Sequence, residues 1–152
     1  MKNHDTFDTG PLSGTEAGLC LDCPKQPACG FIGFLSQPPP HESSRFITVR
    51  HYRTGQYVVR EGEPARALHL VCRGTMTVTA TDESGKEAGL HLVGVGEFLN
   101  ATDLFLEHQT YSRSAACLGD AVVTTVSWEA LHDRMQSSPS LAASLLRQVA
   151  SQ

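Results

Sequence analysis

From residue 57 to residue 126 apolar side chains recur at every second position, in short runs cut by glycine, and few folds accept that pattern. Met76, Val78 and Ala80 alternate with Thr75, Thr77, Thr79 and Thr81. Such a stretch makes an extended strand with one apolar and one threonine face. Residues 67–72 predict another strand, with Leu68, Leu70 and Cys72 on one face and His69 and Val71 on the other. Residues 57–60 run into a turn at Glu61-Gly62-Glu63. Asp82-Glu83-Ser84-Gly85 predicts a hairpin loop whose returning strand covers 88–93. Gly94 and Gly96 then punctuate the chain, and 98–106 is expected as a loop or short helical turn. A second hairpin is expected from strands at 112–118 and 121–126 around Gly119-Asp120. Short strands at this spacing close into a sandwich or roll. The expected fold is mainly β, an antiparallel β-roll or jelly roll with short flanking helices.

The flanks lose the two-residue period. A short helix is expected across 41–49, with Phe46, Ile47 and Val49 as its apolar contacts. Ser127 is placed as an N-cap ahead of a helix starting at Trp128, itself expected as a packing anchor. Ser138 followed by Pro139 predicts a further helix with Leu141, Leu145, Leu146 and Val149 on one apolar stripe. The organisation predicted is a tail and cysteine-rich segment over 1–40, a β-roll over 41–135, and the start of a terminal helix over 136–152.

A chain of 152 residues with 40% hydrophobic and 18% charged side chains can bury one ordinary core. No apolar run approaches the roughly 20 residues that span a bilayer, so no membrane association is expected. The first ten residues, MKNHDTFDTG, are polar and acidic, unlike a secretory signal, which predicts a cytoplasmic protein. The net charge is −4, and the 12 Lys and Arg residues are scattered. Nucleic-acid surfaces concentrate their basic residues, so direct DNA contact by this chain is not expected.

Of the five cysteines, Cys20, Cys23 and Cys29 crowd into ten residues, whereas Cys72 and Cys117 are isolated. In a reducing compartment that spacing points to a metal site rather than a disulfide framework. Pro24 and Pro27 keep the segment looped, and Phe31, Ile32, Phe34 and Leu35 could pin it to an apolar surface. Three thiolates serve either zinc or an iron–sulfur cluster. The seven histidines are dispersed, with no i, i+4 pair on a helix, and most are expected to be solvated. Neither a nucleophile elbow, a zinc-protease motif nor a phosphate-binding loop is found, so an enzyme is not expected.

The block running from Gly55 through Gly62, Glu63, Leu68, Leu70 and Gly74 to Val78 resembles the opening strands of a cyclic-nucleotide-binding-type β-roll. Gly96-Glu97-Phe98 corresponds to the segment leading into its ligand cassette. With Cys20-x2-Cys23-x5-Cys29 upstream, the chain resembles the FNR branch of the CRP/FNR bacterial regulators. That resemblance implies an oxygen-labile [4Fe-4S] cluster on Cys20, Cys23, Cys29 and a fourth, downstream ligand. It also implies a response to oxygen or nitric oxide, and a homodimer formed through the terminal helix. Because no helix-turn-helix domain is expected here, output would pass through a partner regulator protein.

Two positions depart from the resemblance. The ribose-binding glutamate of the cassette falls on Ala101 and the phosphate-binding arginine on Tyr111, with Arg113 nearby but displaced. Without its guanidinium a phosphate loses its strongest contact, so cyclic nucleotide is not expected as a ligand. The family's fourth cluster cysteine falls on Thr124. Cys117, across the predicted hairpin, is the first choice to replace it. Asp120 could offer a carboxylate, and Cys72 ranks last because it shares the face of Leu68 and Leu70. A structural zinc on the same cysteines, in a ligand-binding or protein-interaction module, is the competing reading.

Overall fold

The computed structural model describes residues 47–106 and 109–151. Eight strands make two four-stranded sheets. They are β1 (Ile47–Tyr52), β2 (Tyr57–Val59), β3 (Ala67–Arg73), β4 (Met76–Thr81), β5 (Glu87–Val93), β6 (Phe98–Leu99), β7 (Ser114–Cys117) and β8 (Ala121–Ser127). The first sheet has the order β1-β8-β3-β6 and the second β2-β7-β4-β5, with every neighbouring pair antiparallel. The expected mainly β roll is therefore present. A 3₁₀-helix over Ala101–Phe105 follows β6, and two α-helices close the described chain, α1 (Trp128–Ser137) and α2 (Pro139–Ala150).

The two expected faces of β3 are both covered, since Leu68, His69, Leu70 and Val71 are all buried. Its partner β8 is buried over most of its length for the same reason. The register sets Arg50 opposite Val123, Tyr52 opposite Ala121 and His69 opposite Thr125. Residues directly opposite share a face, so these side chains belong to one side of the first sheet. Val49, Thr124, Val126, Leu68 and Leu70 belong to the other, and α1 packs against β3 and β8. The alternation over β4 also matches, with Met76 and Val78 buried and Thr77 and Thr79 half-buried. On the edge strand β5, six of the seven residues are exposed.

Two expectations need correction. Residues 47–49 form strand, not helix, and pair with Val126, Thr125 and Thr124. Ile47, Thr48 and Val49 bring β-branched side chains that suit a pleated surface better than a helix. Residues 41–46 of that expected helix lie outside the described residues. The second correction is that β7 and β8 do not form a hairpin but belong to different sheets. β7 is held by β2 and β4, while β8 lies between β1 and β3. The chain crosses from one sheet to the other at Gly119-Asp120, beside the β3–β4 crossing at Gly74. Gly74 has φ +84°, and a Cβ there would stand 2.7 Å from the carbonyl oxygen of Asp120. Only glycine lets the two crossings pass this closely.

Both helix caps occur as expected. The Ser127 hydroxyl accepts from the Ala130 amide, the Ser138 hydroxyl accepts from the Leu141 amide, and Pro139 opens α2. The apolar stripe of α2 is narrower than predicted. Leu141 and Leu145 are buried and Val149 packs against the core, but Leu146 is 48% exposed. Among the described residues no helix is long and apolar enough to cross a membrane.

Candidate functional site

Cys20, Cys23 and Cys29 lie outside the described residues. Among the described residues, no group of three or more His, Cys, Asp or Glu side chains could by itself hold a metal ion. Three further candidates can be located. Cys117 ends β7 in the core, 3% exposed, with its thiol 3.5 Å from the Met76 sulfur. Burial, and secondarily the charge of Asp120, pushes its pKa up. The hairpin that would have carried Cys117 to Thr124 does not exist. Asp120 is exposed at the sheet crossing, where its Oδ1 accepts from the Thr54 amide.

Cys72 packs against the core as its shared face with Leu68 and Leu70 implied, but from the margin. It falls at the irregularity where β3 slips against β8, between Val71 and Arg73, and it is only partly buried. Its Sγ lies 3.1 Å from Oγ1 of Thr124 and 3.7 Å from the carbonyl oxygen of Leu70. A thiol on β3 and the hydroxyl on β8 thus meet across the strand boundary.

A second polar assembly lies inside the roll, built on His69. The strand period puts His69 on the same side as Val71, where it is 9% exposed. Its Nδ1 is 2.8 Å from Oγ1 of Thr125, and its Nε2 is 3.0 Å from the Tyr111 hydroxyl. The Tyr111 hydroxyl donates in turn to the carbonyl of Ala67, at 3.0 Å. One arrangement satisfies all of them: Thr125 donates to Nδ1, Nε2–H donates to Tyr111, and Tyr111 donates to Ala67. That arrangement requires a neutral imidazole. Burial, with the positive charge of Arg50 adding to it, lowers the His69 pKa to about 4. Tyr111 is pushed up to about 12, chiefly by burial.

The segment before β7 is fastened from both ends. Asp103, 3% exposed, accepts at Oδ2 from both the amide and the hydroxyl of Ser112. Asn100, at φ 45°, donates from Nδ2 to the Arg113 carbonyl at 2.7 Å. The Tyr111 amide donates to the Glu63 carbonyl, and the Gly62 amide donates to that of Tyr111. Ala101, at the position expected for a ribose-binding glutamate, is 5% exposed. Phe105 meets Trp128 edge-on at 5.3 Å, which fixes Trp128 as the anchor between this segment and α1.

Sequence reading missed the His69 assembly by counting most histidines as solvated. The signal available was local: His69 sits between Leu68 and Leu70 on a strand whose two faces are both apolar.

The cyclic nucleotide-binding domain family matches residues 49–138, more than half of the chain. The cAMP-activated global transcriptional regulator CRP of Salmonella typhimurium is 26% identical over 102 residues, covering 67% of this chain and 49% of that protein. The CRP-like protein Clp of Xanthomonas campestris is 31% identical over 89 residues, covering 59% of this chain and 39% of Clp. The chain thus spans about half the length, or less, of these curated relatives. Among solved structures, the c-di-GMP responsive global regulator CLP of X. campestris superposes with TM-score 0.64 at 28% identity, covering 70% of this chain and 52% of that one. The sensor domain of the transcriptional regulator DNR of Pseudomonas aeruginosa shares the fold, with TM-score 0.61 at 22% identity over 69% of this chain and 70% of that one. With its two four-stranded sheets, its glycine corners and this match over residues 49–138, the chain belongs to the cyclic nucleotide-binding domain family.

Proposed function

We propose that the chain is the sensor part of a transcriptional regulator, responding to oxygen or nitric oxide through a [4Fe-4S] cluster on Cys20, Cys23, Cys29 and Cys72. The observation that carries this reading is the Cys72 thiol, 3.1 Å from Oγ1 of Thr124. Thr124 is where the FNR resemblance expects the fourth thiolate, so Cys72 delivers a sulfur to the same place from the neighbouring strand. The chemistry of the donor fits as well. Cys72 is only partly buried, at the margin of the core, whereas Cys117 lies within it. Using Cys117 would require drawing its sulfur away from Met76 and out of the roll. A bound cluster would supply an oxidant-sensitive iron centre, and Cys20, Cys23, Cys29 and Cys72 would be the residues to hold it.

The relatives named above are transcriptional regulators, which supports a regulatory and non-enzymatic role in the cytoplasm. Dimerisation through α2 is part of the proposal, supported by the exposed Leu146 beside the buried Leu145. Cyclic nucleotide is not the proposed signal, because Ala101 and Tyr111 offer neither a carboxylate nor a guanidinium.

The test is anaerobic reconstitution of the wild type, Cys72→Ser and Cys117→Ser, followed by visible absorption and by iron, sulfide and zinc analysis. The wild type and Cys117→Ser should hold an air-bleached cluster, and Cys72→Ser should not. A colourless protein with air-stable zinc would replace the sensor reading with the structural-zinc one. Loss of the cluster in Cys117→Ser alone would move the fourth ligand to Cys117.

A further inference from the structure

The polar groups that Tyr111 meets are unusual in an apolar roll. Nε2–H of His69 and the carbonyl of Ala67 both point at one hydroxyl, each 3.0 Å away. They come from β3, whereas Tyr111 comes from the segment preceding β7 and is only 5% exposed. Asp103 fixes that segment through Ser112, and Glu63 and Gly62 hold the Tyr111 backbone. One donor and one acceptor converging on the hydroxyl of a ring that is itself part of the buried core form a receptor for a phenol.

We propose that Tyr111 is a tethered internal ligand: the roll contains a phenol-binding site, and the chain fills that site with its own side chain. The tether gives the phenol a high effective concentration, so a diffusible molecule must displace a covalently attached competitor. The roll interior is thereby closed to small ligands, and the polar segment stays in its bound arrangement without a signal molecule. Removing the side chain leaves a neutral, phenol-sized cavity with His69 and Ala67 still in place. Such cavities bind small aromatic molecules when their shape is retained. The site takes neutral phenols rather than anions, because Asp103 lies near Tyr111 and His69 is uncharged. This inference does not depend on the cysteines; thermal stability reads the roll, and iron content reads the cluster.

The experiment measures thermal unfolding of wild type and Tyr111→Ala with added phenol, or with benzene as the control lacking a hydroxyl. Tyr111→Ala should melt more than about 10 °C below wild type. Phenol should raise its melting temperature with dose, more strongly than benzene, and leave the wild type unmoved. A folded Tyr111→Ala insensitive to phenol overturns the proposal, as does an equal phenol effect on the wild type. If Tyr111→Ala does not fold alone, recovery on refolding in phenol supports the site. If it does not refold either way, Tyr111→Phe decides: it keeps the ring and should lose about 4 to 8 °C, while Tyr57→Phe, at the exposed Glu87 contact, should not. A neutral Tyr111→Phe overturns the proposal.

Discussion

His69 gives the roll an acid sensitivity that can be calculated and isolated. In the unfolded chain its imidazole titrates at the ordinary 6.5, and in the folded chain at about 4, because burial first and Arg50 second oppose the charged form. The unfolded state therefore binds the proton first as the pH falls. Stability from this residue is fully present above 6.5 and is lost as the pH drops toward 4. Between the two pKa values the loss accumulates to about 3 kcal/mol, of which about 2 kcal/mol appears between pH 7 and pH 5. Carboxylates are still largely ionised at pH 5, which keeps their contribution small. The assay is urea unfolding of the wild type and His69→Gln at both pH values. Glutamine still offers an amide N–H to Tyr111 but cannot titrate. The wild type should lose about 2 kcal/mol more than the variant, moving its midpoint by an extra ~1 to 2 M urea. Parallel losses in the two proteins would refute the argument, and so would a His69 ring resonance that titrates near 6.5 in the folded protein.

The sheet crossing can be tested by comparing two glycines with nearly the same φ. Gly74→Ala should cost more than about 2 kcal/mol in chemical unfolding, because the added Cβ meets the Asp120 carbonyl as well as an unfavourable φ. Gly85→Ala has nothing within 4 Å and should cost only about 1 kcal/mol, measured the same way. Ser138→Ala removes the side-chain acceptor for the Leu141 amide and should cost about 1 kcal/mol, read from the thermal midpoint. A double-mutant cycle with Phe105→Leu and Trp128→Leu should give a coupling of about 0.5 to 1.5 kcal/mol, from their edge-to-face contact.

Much of the roll was legible because a strand writes its faces into its sequence. Met76 and Val78 between threonines could only be a half-buried strand, and Ser127 and Ser138-Pro139 could only open helices economically. What local pattern does not carry is which strands pair. Gly119-Asp120 reads equally well as a hairpin turn and as a crossing between sheets, because both need a short, sharp change of direction. The distinction lies in Gly74, distant in sequence, whose missing Cβ makes room for the second crossing. That error shifted the expected fourth ligand, since Cys117 was placed across a hairpin from Thr124. In the β3–β8 register Thr124 stands opposite Leu70, and the Cys72 thiol at the following irregularity reaches its hydroxyl. His69 is a different case: the apolar residues on both faces of its strand already mark it as buried, but its partners Thr125 and Tyr111 lie far off in sequence.

The register also separates two functions within one sheet. Side chains alternate across β3, so His69 joins Tyr111 on one side while Leu70 joins Thr124 on the other. On the first side the polar groups are saturated by the chain itself, and a buried neutral imidazole resists any charged ligand. On the second side lies Thr124, whose hydroxyl meets the Cys72 thiol, and α1 packs against the same two strands, β3 and β8. The Tyr111 segment is tied to the helices by contact alone, through the Asp103–Ser112 bond and the edge-on meeting of Phe105 with Trp128, the first residue of α1. Under the proposed reading a signal acts at the Cys72 thiol, because Tyr111 already fills the His69 side.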